Sequence, residues 1–411
     1  MIAEEPHFLE EKSIIVAGAG MAGLSFAISL RKRWNLKVSP PKITVYDRDS
    51  RRPDLQRQSY SLTINGMEQD GGVQILENLG LLQRVIEKAT PGTGSIPFKM
   101  WDRNWNELIA VPAKPYGDLP LARLRILRVR LREIMIEEAE NLGISIQWKS
   151  QCLGVKLLDD RRLSVTVSSL NKPEHCIDCD LLIAADGAHS KLRASLRPDD
   201  QLHYAGATQI GGLAVFPQGI PDPLADSWGI MASGYGNSCF ASLFEGNTVI
   251  WAFSKAQEMP AQAAGGDGRP LLDEVRQHCS EIAEPFASLI NSTHPSTAFV
   301  IPARDKKPFS HEDVIPGVVF IGDSNHAVSP FAGNGANTSL ADGWDLAGFL
   351  LASDSIGNAV TAYDRVSFPR AQKTLNSSHW RIRIANLEGI AFAIFRRVIQ
   401  VGGLIKWLAG R

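Results

Sequence analysis

Residues 13–23 read Ser13-Ile14-Ile15-Val16-Ala17-Gly18-Ala19-Gly20-Met21-Ala22-Gly23. The run to Gly18 is short, apolar and β-branched, which predicts a buried strand. Residues 22–33 carry a helical pattern, and Lys42-Ile43-Thr44-Val45-Tyr46 reads as a second strand. Strand, helix, strand in that order predicts a parallel βαβ unit and hence an α/β domain. Glycines spaced G-x-G-x-x-G between strand and helix let the chain turn tightly, approach a pyrophosphate closely and aim a helix N-terminus at its charge. A purely structural glycine turn is the alternative. Asp47 closes the second strand, where a carboxylate accepts hydrogen bonds from a ribose hydroxyl. It follows Gly18 by 29 positions, against a usual interval of roughly 20. The Pro40-Pro41 turn takes up the excess.

Two later clusters share this logic. Leu181-Leu182-Ile183-Ala184-Ala185-Asp186-Gly187 is an apolar strand ending in a carboxylate and a tight turn, with Ser190 and Arg193 beyond it. Asp-Gly is also common turn chemistry, so a plain strand terminator is the competing reading. Val318-Val319-Phe320-Ile321-Gly322-Asp323-Ser324-Asn325-His326 repeats the strand-to-carboxylate pattern and continues to Pro330-Phe331-Ala332-Gly333-Asn334-Gly335-Ala336-Asn337. A helix is predicted from about Asn337. Its free N–H groups suit a developing anion, and Asp323 suits a sugar or ribityl hydroxyl. His326 is read as orienting the loop.

Between these clusters, residues 70–88 and 126–142 carry helical spacing. From about 175 to 300 short strand-like runs (211–216, 237–244, 247–254) alternate with Gly, Pro and Ser, which predicts an inserted antiparallel sheet. Residues 264–270 read as a loop, 271–292 as a helix, and 335–352 and 370–408 as mostly helical. Cys176-Ile177-Asp178-Cys179 has C-x-x-C spacing without a second pair and is read as structural, with no metal site.

Lys and Arg total 43 against 44 Asp and Glu, a formal net charge of −1. That balance argues against a nucleic-acid binder with a large basic surface. A content of 44% apolar and 21% charged residues fits an ordinary globular chain, and 411 residues suggest two or three domains at roughly 150 each. Five cysteines cannot build a disulfide scaffold and favour a reducing compartment, hence a cytoplasmic location. The acidic N-terminus shows no secretory signal. The apolar stretch 389–408 is interrupted by Arg396, Arg397, Gln400 and Lys406, a poor spanning helix. It reads as a helix bridging domains, or as one lying on a membrane surface.

Together, in this order and spacing, the three clusters resemble the single-component FAD-dependent monooxygenases of the p-hydroxybenzoate hydroxylase fold. Gly18, Gly20 and Gly23 match the first family pattern, Asp186 and Gly187 the second. Gly322, Asp323, His326, Pro330, Gly333, Gly335 and Asn337 match the third. Leu24 and Asp342 fit as well. The runs 45–49, 77–83 and 329–337 look closest to the tetracycline-inactivating and fungal secondary-metabolite branches. The resemblance implies a Rossmann-like FAD domain made of 1–80, 100–195 and 305–370, a substrate sheet made of 81–99 and 196–304, and a bridging helical segment 371–411. It implies that Gly18, Gly20, Met21, Ala22 and Gly23 contact the FAD pyrophosphate. Asp47 would hold the adenosine ribose, with Arg48 at the adenine side. Arg128, in the pattern Arg128-x-x-Leu131-x-x-x-Met135, would reach the phosphates or ribityl chain. The alternative takes Arg128 as one of several solvated arginines (Arg123, Arg125, Arg130, Arg132). Asp186 and Gly187 belong to the cofactor set. Asp323 would bind the ribityl and pyrophosphate region, Pro330 belongs to the cofactor set, and the backbone of Gly333, Asn334, Gly335 and on to Asn337 would face the flavin pyrimidine edge.

Two departures stand out: Asp rather than Glu at 47, and Gln58-Ser59-Tyr60-Ser61 where the family often has glycines. No second G-x-G-x-x-G marks a nicotinamide domain. In the family NAD(P)H docks transiently, and O2 then forms a flavin C4a peroxide that inserts one oxygen atom (hydroxylation, epoxidation or Baeyer–Villiger type). The inserted sheet holds Tyr204, Phe216, Trp228, Tyr235, Phe240, Phe244, Trp251 and Phe253 with little charge, which predicts a bulky, mostly apolar, aromatic or polycyclic substrate. No catalytic base is legible. A halogenase is disfavoured because no W-x-W-x-I-P segment is present. A flavoprotein dehydrogenase or reductase, or a scaffold retaining the fold, remain alternatives, and the chain could be a monomer or a homodimer.

Overall fold

The computed structural model describes residues 7–34, 37–52, 60–91, 93–94, 96–170, 172–260 and 267–409, with side chains (Ala332 apart) to Val401. The predicted unit forms as β1 (Ser13–Ala17), α1 (Met21–Arg33) and β2 (Lys42–Asp47). Next come β3 (Ser61–Asn65), α2 (Gly72–Asn78), α3 (Leu82–Lys88), β4 (Phe98–Trp101), β5 (Glu107–Val111), β6 (Arg123–Leu127) and α4 (Arg128–Asn141). Then follow β7 (Ser145–Trp148), β8 (Ser150–Leu157), β9 (Leu163–Ser169), β10 (Lys172–Cys179), β11 (Leu181–Ala184) and α5 (Lys191–Leu196). The second half runs β12 (His203–Val215), β13 (Trp228–Ala232), β14 (Asn237–Glu245), β15 (Thr248–Ala256), α6 (Arg269–Arg276), α7 (Phe286–Asn291) and β16 (Phe299–Asp305). It closes with β17 (Val318–Phe320), α8 (Asp323–His326), α9 (Gly335–Ala352), α10 (Ile356–Ala385) and α11 (Gly389–Ala409).

One sheet, ordered β17-β11-β1-β2-β7, is entirely parallel. Its strands are apolar throughout because both faces are covered. On β1, Ile14 and Val16 enter a core with α1, α4 and α9, while Ile15 and Ala17 pack on the antiparallel β8–β10 layer. This alternation is the period of two expected of a strand. Helices α1 and α9 touch backbone to backbone: a Cβ on Gly343 would lie 2.4 Å from the Phe26 nitrogen.

The second sheet, ordered β16-β12-β15-β14-β13-β4-β5, is antiparallel except where β4 runs parallel to β13. Met231, Cys239, Ala241, Trp251 and Phe253 point to one face and bury against Leu272, Phe286 and Leu289 of α6 and α7. The alternate positions Trp228, Ile230 and Phe240 therefore point the other way. The 81–99 boundary needs correction. β4 and β5 carry sheet membership out to Val111, whereas Leu82 and Val85 of α3 belong to the FAD-side core. Pairing across more than a hundred residues leaves no local signal.

Three predicted elements differ in detail. The 70–88 helix is two helices, parted at Leu79–Leu81 where Gly80 takes φ +68°. The 271–292 helix is likewise two, α6 and α7, with Pro285 opening the second. The last glycine-loop helix begins at Gly335 rather than Asn337. In the 264–270 loop, 264–266 lie outside the described residues, and Arg269 and Pro270 already belong to α6. On β10, Cys176 is exposed and Cys179 buried, so the two thiols sit on opposite strand faces.

Candidate active site

The order β17-β11-β1-β2 sets the three sequence clusters side by side at the carboxyl ends of adjacent strands, where open α/β sheets bind ligands. The contacts between them are direct. Gly18 has φ +111°, and a Cβ there would lie 2.3 Å from the Ala185 carbonyl oxygen and 3.2 Å from Asp186 Cα. A Cβ on Gly322 (φ +62°) would lie 2.9 Å from Ala22 Cβ. Glycine at these positions lets three turns share one small space.

No side chain caps the first turn of α1, whose cap residue is Gly20. A Cβ on Gly20 would meet nothing within 4 Å. Open space thus lies over an uncapped helix N-terminus, the arrangement that receives phosphate. Asp47 Oδ2 accepts the Ala19 N–H at 2.7 Å and Oδ1 the Asp49 N–H at 2.8 Å. Behind it, buried Arg132 donates to the Ala19 carbonyl at 2.8 Å and lies 3.4 Å from Asp47 Oδ2. The Asp47 carboxylate therefore braces the glycine loop in addition to any ribose contact. Arg48 is exposed.

At the second cluster, Asp186 Oδ2 accepts the Lys191 N–H at 2.8 Å and the Leu192 N–H at 3.4 Å. Its Oδ1 is buried with no protein partner. Burial pushes this carboxyl upward. A Cβ on Gly187 (φ +82°) would meet open space. Arg193 fastens this turn to the third cluster, donating to the Ser324 carbonyl at 2.7 Å and the Ala188 carbonyl at 2.6 Å.

In the third cluster burial also raises the Asp323 carboxyl, opposed by His326 and Arg128. Arg128 opens α4, and its guanidinium lies 5.9 Å over the Tyr60 ring. His326 Nε2 contacts Asp342 Oδ2 at 2.5 Å, so its side chain is committed to holding the loop. Pro330 is exposed, Gly333 is left-handed at φ +58°, and Asn334 caps α9 without a side-chain bond. The Asn337 side chain is turned to the strands. Its Oδ1 accepts the Asn65 N–H at 2.8 Å and the Gly72 N–H at 3.1 Å, while Nδ2 donates to the Thr63 carbonyl at 2.9 Å. The side chain is consumed in fastening α9 to β3 and α2.

The solvated reading of the arginines is corrected for three of four. Arg123, Arg125 and Arg132 are buried, whereas Arg130, paired with Glu245, is half-buried. The alternation in Arg123-Leu124-Arg125-Ile126 places both arginines on one strand face but does not say whether that face is covered.

A family model described as an FAD binding domain matches residues 11–375. The chain belongs to this FAD-dependent monooxygenase family. A relative, monooxygenase cfoF of Aspergillus candidus, is 44% identical over 92% of this chain and 93% of its own length. The crystal structure of Klebsiella pneumoniae HpxO with FAD and uric acid superposes with a TM-score of 0.78 at 22% identity, covering 97% of this chain and 95% of that one. Tetracycline destructase Tet(55) gives 0.67 at 17% identity, covering 97% and 96%. These two likenesses carry the fold, the α/β p-hydroxybenzoate hydroxylase type. FAD is the family's cofactor, and this chain's residues fit it. Two uncapped helix N-termini, open space at Gly20 and Gly187, and an orphaned buried carboxylate oxygen on Asp186 suit a dinucleotide rich in phosphate and hydroxyl groups.

Proposed function

We propose that this monooxygenase takes electrons from NAD(P)H and inserts one atom of O2 into an aromatic or polycyclic small molecule of secondary metabolism. Gly18, Gly20, Met21, Ala22 and Gly23 cradle the FAD pyrophosphate, and Asp47 takes the ribose. Arg128, Asp186, Gly187, Gly322 and Asp323 take the phosphates and ribityl chain, and the backbone of 333–337 meets the flavin ring. Bound FAD supplies the electron transfer and oxygen activation. The chain positions the substrate, excludes water and places a helix N-terminus where negative charge develops.

The observation that carries this reading is the sheet face of Trp228, Ile230 and Phe240. It is turned toward β6 of the FAD domain, whose Arg123 and Arg125 lie over the Trp228 and Phe240 rings. The test is O2 and NAD(P)H consumption by the holoenzyme with hydroxyaromatic compounds. A true substrate is expected to speed flavin reduction and to yield oxygenated product in step with O2 used. If every compound leaves the rate unchanged and all O2 becomes hydrogen peroxide, the reading fails. Gly335→Asp provides an independent check. Its Cβ would lie 3.5 Å from Val328 Cγ2 and 4.0 Å from Asp323 Oδ1. A second carboxylate there opposes the α9 dipole, so flavin reduction should slow about tenfold, equivalent to roughly 1–2 kcal/mol. Unchanged stopped-flow reduction would remove α9 from the mechanism.

A membrane-surface role rests on α11. Phe392, Phe395 and Ile399 pack beneath the helix on Met100, Leu108 and Ala232. On the opposite side Ile390, Ile394, Val398 and Val401 are 81%, 60%, 64% and 54% exposed. Arg396 and Arg397 are exposed, and α11 contains no acidic residue. These features match an anionic lipid interface. Among the described residues no helix is long and apolar enough to cross a membrane. Phosphatidylserine vesicles should float the protein, and the Ile394→Glu/Val398→Glu variant should stay behind. Equal flotation of the two proteins would count against lipid contact.

A further inference from the structure

Strand β16 of the large sheet ends at Asp305, and the chain then returns to β17 of the parallel sheet. The first residue of that crossing is Lys306, only 2% exposed. Its backbone N–H donates to the Ala327 carbonyl at 3.1 Å. Its ammonium donates to the carbonyls of Asn325 and, at 2.7 Å, Lys307, and lies 3.2 Å from Asp200 Oδ2. The Phe309 ring lies 4.7 Å from the ammonium and 4.3 Å from the Arg197 guanidinium. Phe309 is itself held by the Asn325 side-chain amide, which bonds its N–H at 3.0 Å and its carbonyl at 3.1 Å. Arg193 completes the arrangement from α5. It donates to the Ser324 carbonyl at 2.7 Å and, through Nε, to the Asp200 carbonyl at 3.1 Å. Two cations therefore hold consecutive carbonyls of α8, the single helical turn that Asp323 opens.

A four-residue turn leaves its carbonyls without helical partners, and cations at its C-terminal end satisfy them. Lysine is nonetheless an expensive choice there, because burying an ammonium costs free energy unless it is paired. The charged groups facing Lys306 are Asp200, Arg193 and Arg197, on α5 or the turn after it. From α8 it meets the Asn325 carbonyl, and from its own loop the Lys307 carbonyl and the Phe309 ring. Three cations thus share the Asp200 carboxylate. Burial draws Lys306 down to about 8, with Asp200 opposing and the two arginines assisting. A pyrophosphate carries the negative charge this cluster lacks. We infer that Lys306 is a positioning residue for the cofactor: its ammonium fixes the turn that carries Asp323, and bound FAD, through its pyrophosphate charge, holds the proton on Lys306 Nζ. This rests on the reading that FAD lies at Asp186 and Asp323. Binding and protonation are reciprocal. FAD raises the Lys306 value, so affinity is highest below pH 8 and falls as the solution passes through it.

The test is release of FAD from the diluted holoenzyme, followed by flavin fluorescence from about pH 6.5 to about pH 9. Wild type should bind about fivefold more weakly at the upper end, as follows from a rise of about one unit at Lys306 on binding. Lys306→Arg, cationic throughout, should hold FAD with a flat profile. Lys306→Met should bind it about tenfold more weakly than wild type does near pH 6.5, again with a flat profile. The wild-type profile needs no variant, so it decides even where a substitution fails to fold. Constant wild-type affinity across the range overturns the inference. So does a slope that persists in Lys306→Arg, since the proton then belongs to another group, such as His326. Gly20→Ala separates the inference from the placement of FAD. If that variant keeps full flavin, the placement fails and the inference with it. If it loses flavin while the wild-type profile is flat, the placement stands and only the role of Lys306 falls.

Discussion

Gly18→Ala should yield a colourless, poorly stable protein, whereas Gly20→Ala should yield a colourless but well-folded one. At Gly18 two penalties coincide. The residue's φ of +111° strains any L side chain, and its Cβ would lie 2.3 Å from the oxygen and 2.9 Å from the carbon of the Ala185 carbonyl. That carbonyl cannot retreat cheaply. The Ala185 N–H is bonded to the Ala17 carbonyl at 2.8 Å, and Ala17 stands in register with Ala184 in the parallel ladder. Backbone strain and overpacking cost roughly 1–3 kcal/mol each. A loss of about 3–5 kcal/mol is therefore expected in urea denaturation. At Gly20 the backbone is extended (φ −90°) and the Cβ meets nothing. The added methyl enters the space over the α1 N-terminus, so stability should change by less than about 1 kcal/mol while visible flavin absorbance per chain falls. If Gly20→Ala purifies with full flavin, the pyrophosphate does not lie over α1.

The contrast shows which parts of the site were legible in the sequence. Gly18, Gly187, Gly322 and Gly333 answer to backbone demands, and such demands leave glycine at fixed spacings after apolar strands. Buried charge leaves no comparable mark. Arg132 reads as a surface residue of an amphipathic helix until β2 brings Asp47 beside it, 85 positions earlier in the chain. Arg123 and Arg125 alternate with apolar residues just as an exposed strand face would. Their burial depends on β13 and β14 arriving from a hundred residues downstream. Asn337 shows a third limit: the spacing places a polar residue in the family pattern, but only tertiary structure reveals that its amide is spent on Thr63, Asn65 and Gly72.

Asp342→Asn should cost more than any surface change near the loop, and the cost should depend on pH. Asp342 is fully buried. Its Oδ2 accepts the Gly322 N–H at 2.8 Å and meets His326 Nε2 at 2.5 Å. Its Oδ1 accepts from Arg370 Nη2 at 2.9 Å and Ser367 Oγ at 3.1 Å. An asparagine has one acceptor oxygen, so its NH2 must face two of these donors. Breaking a buried pair in this way costs roughly 3–5 kcal/mol. Burial resists the charged form of Asp342, but His326 and Arg370 override it and hold the carboxyl well below the usual range. Burial likewise opposes protonation of His326, yet Asp342 raises its pKa above 6.5. The raised imidazole stabilises the fold fully below pH 6.5, and that contribution is lost as pH climbs through the folded-state value. The depressed carboxyl stabilises above the ordinary carboxylate range and fails only in acid. The deficit of Asp342→Asn should thus be largest near pH 6 and shrink toward about pH 9. His326→Gln should show the same trend at smaller amplitude. FAD release should follow, because the Gly322 N–H that Asp342 holds fixes the left-handed turn carrying Asp323. A deficit that stays flat from pH 5 to pH 9 would mean that His326 is neutral in the folded enzyme, and that the network works through hydrogen bonding alone.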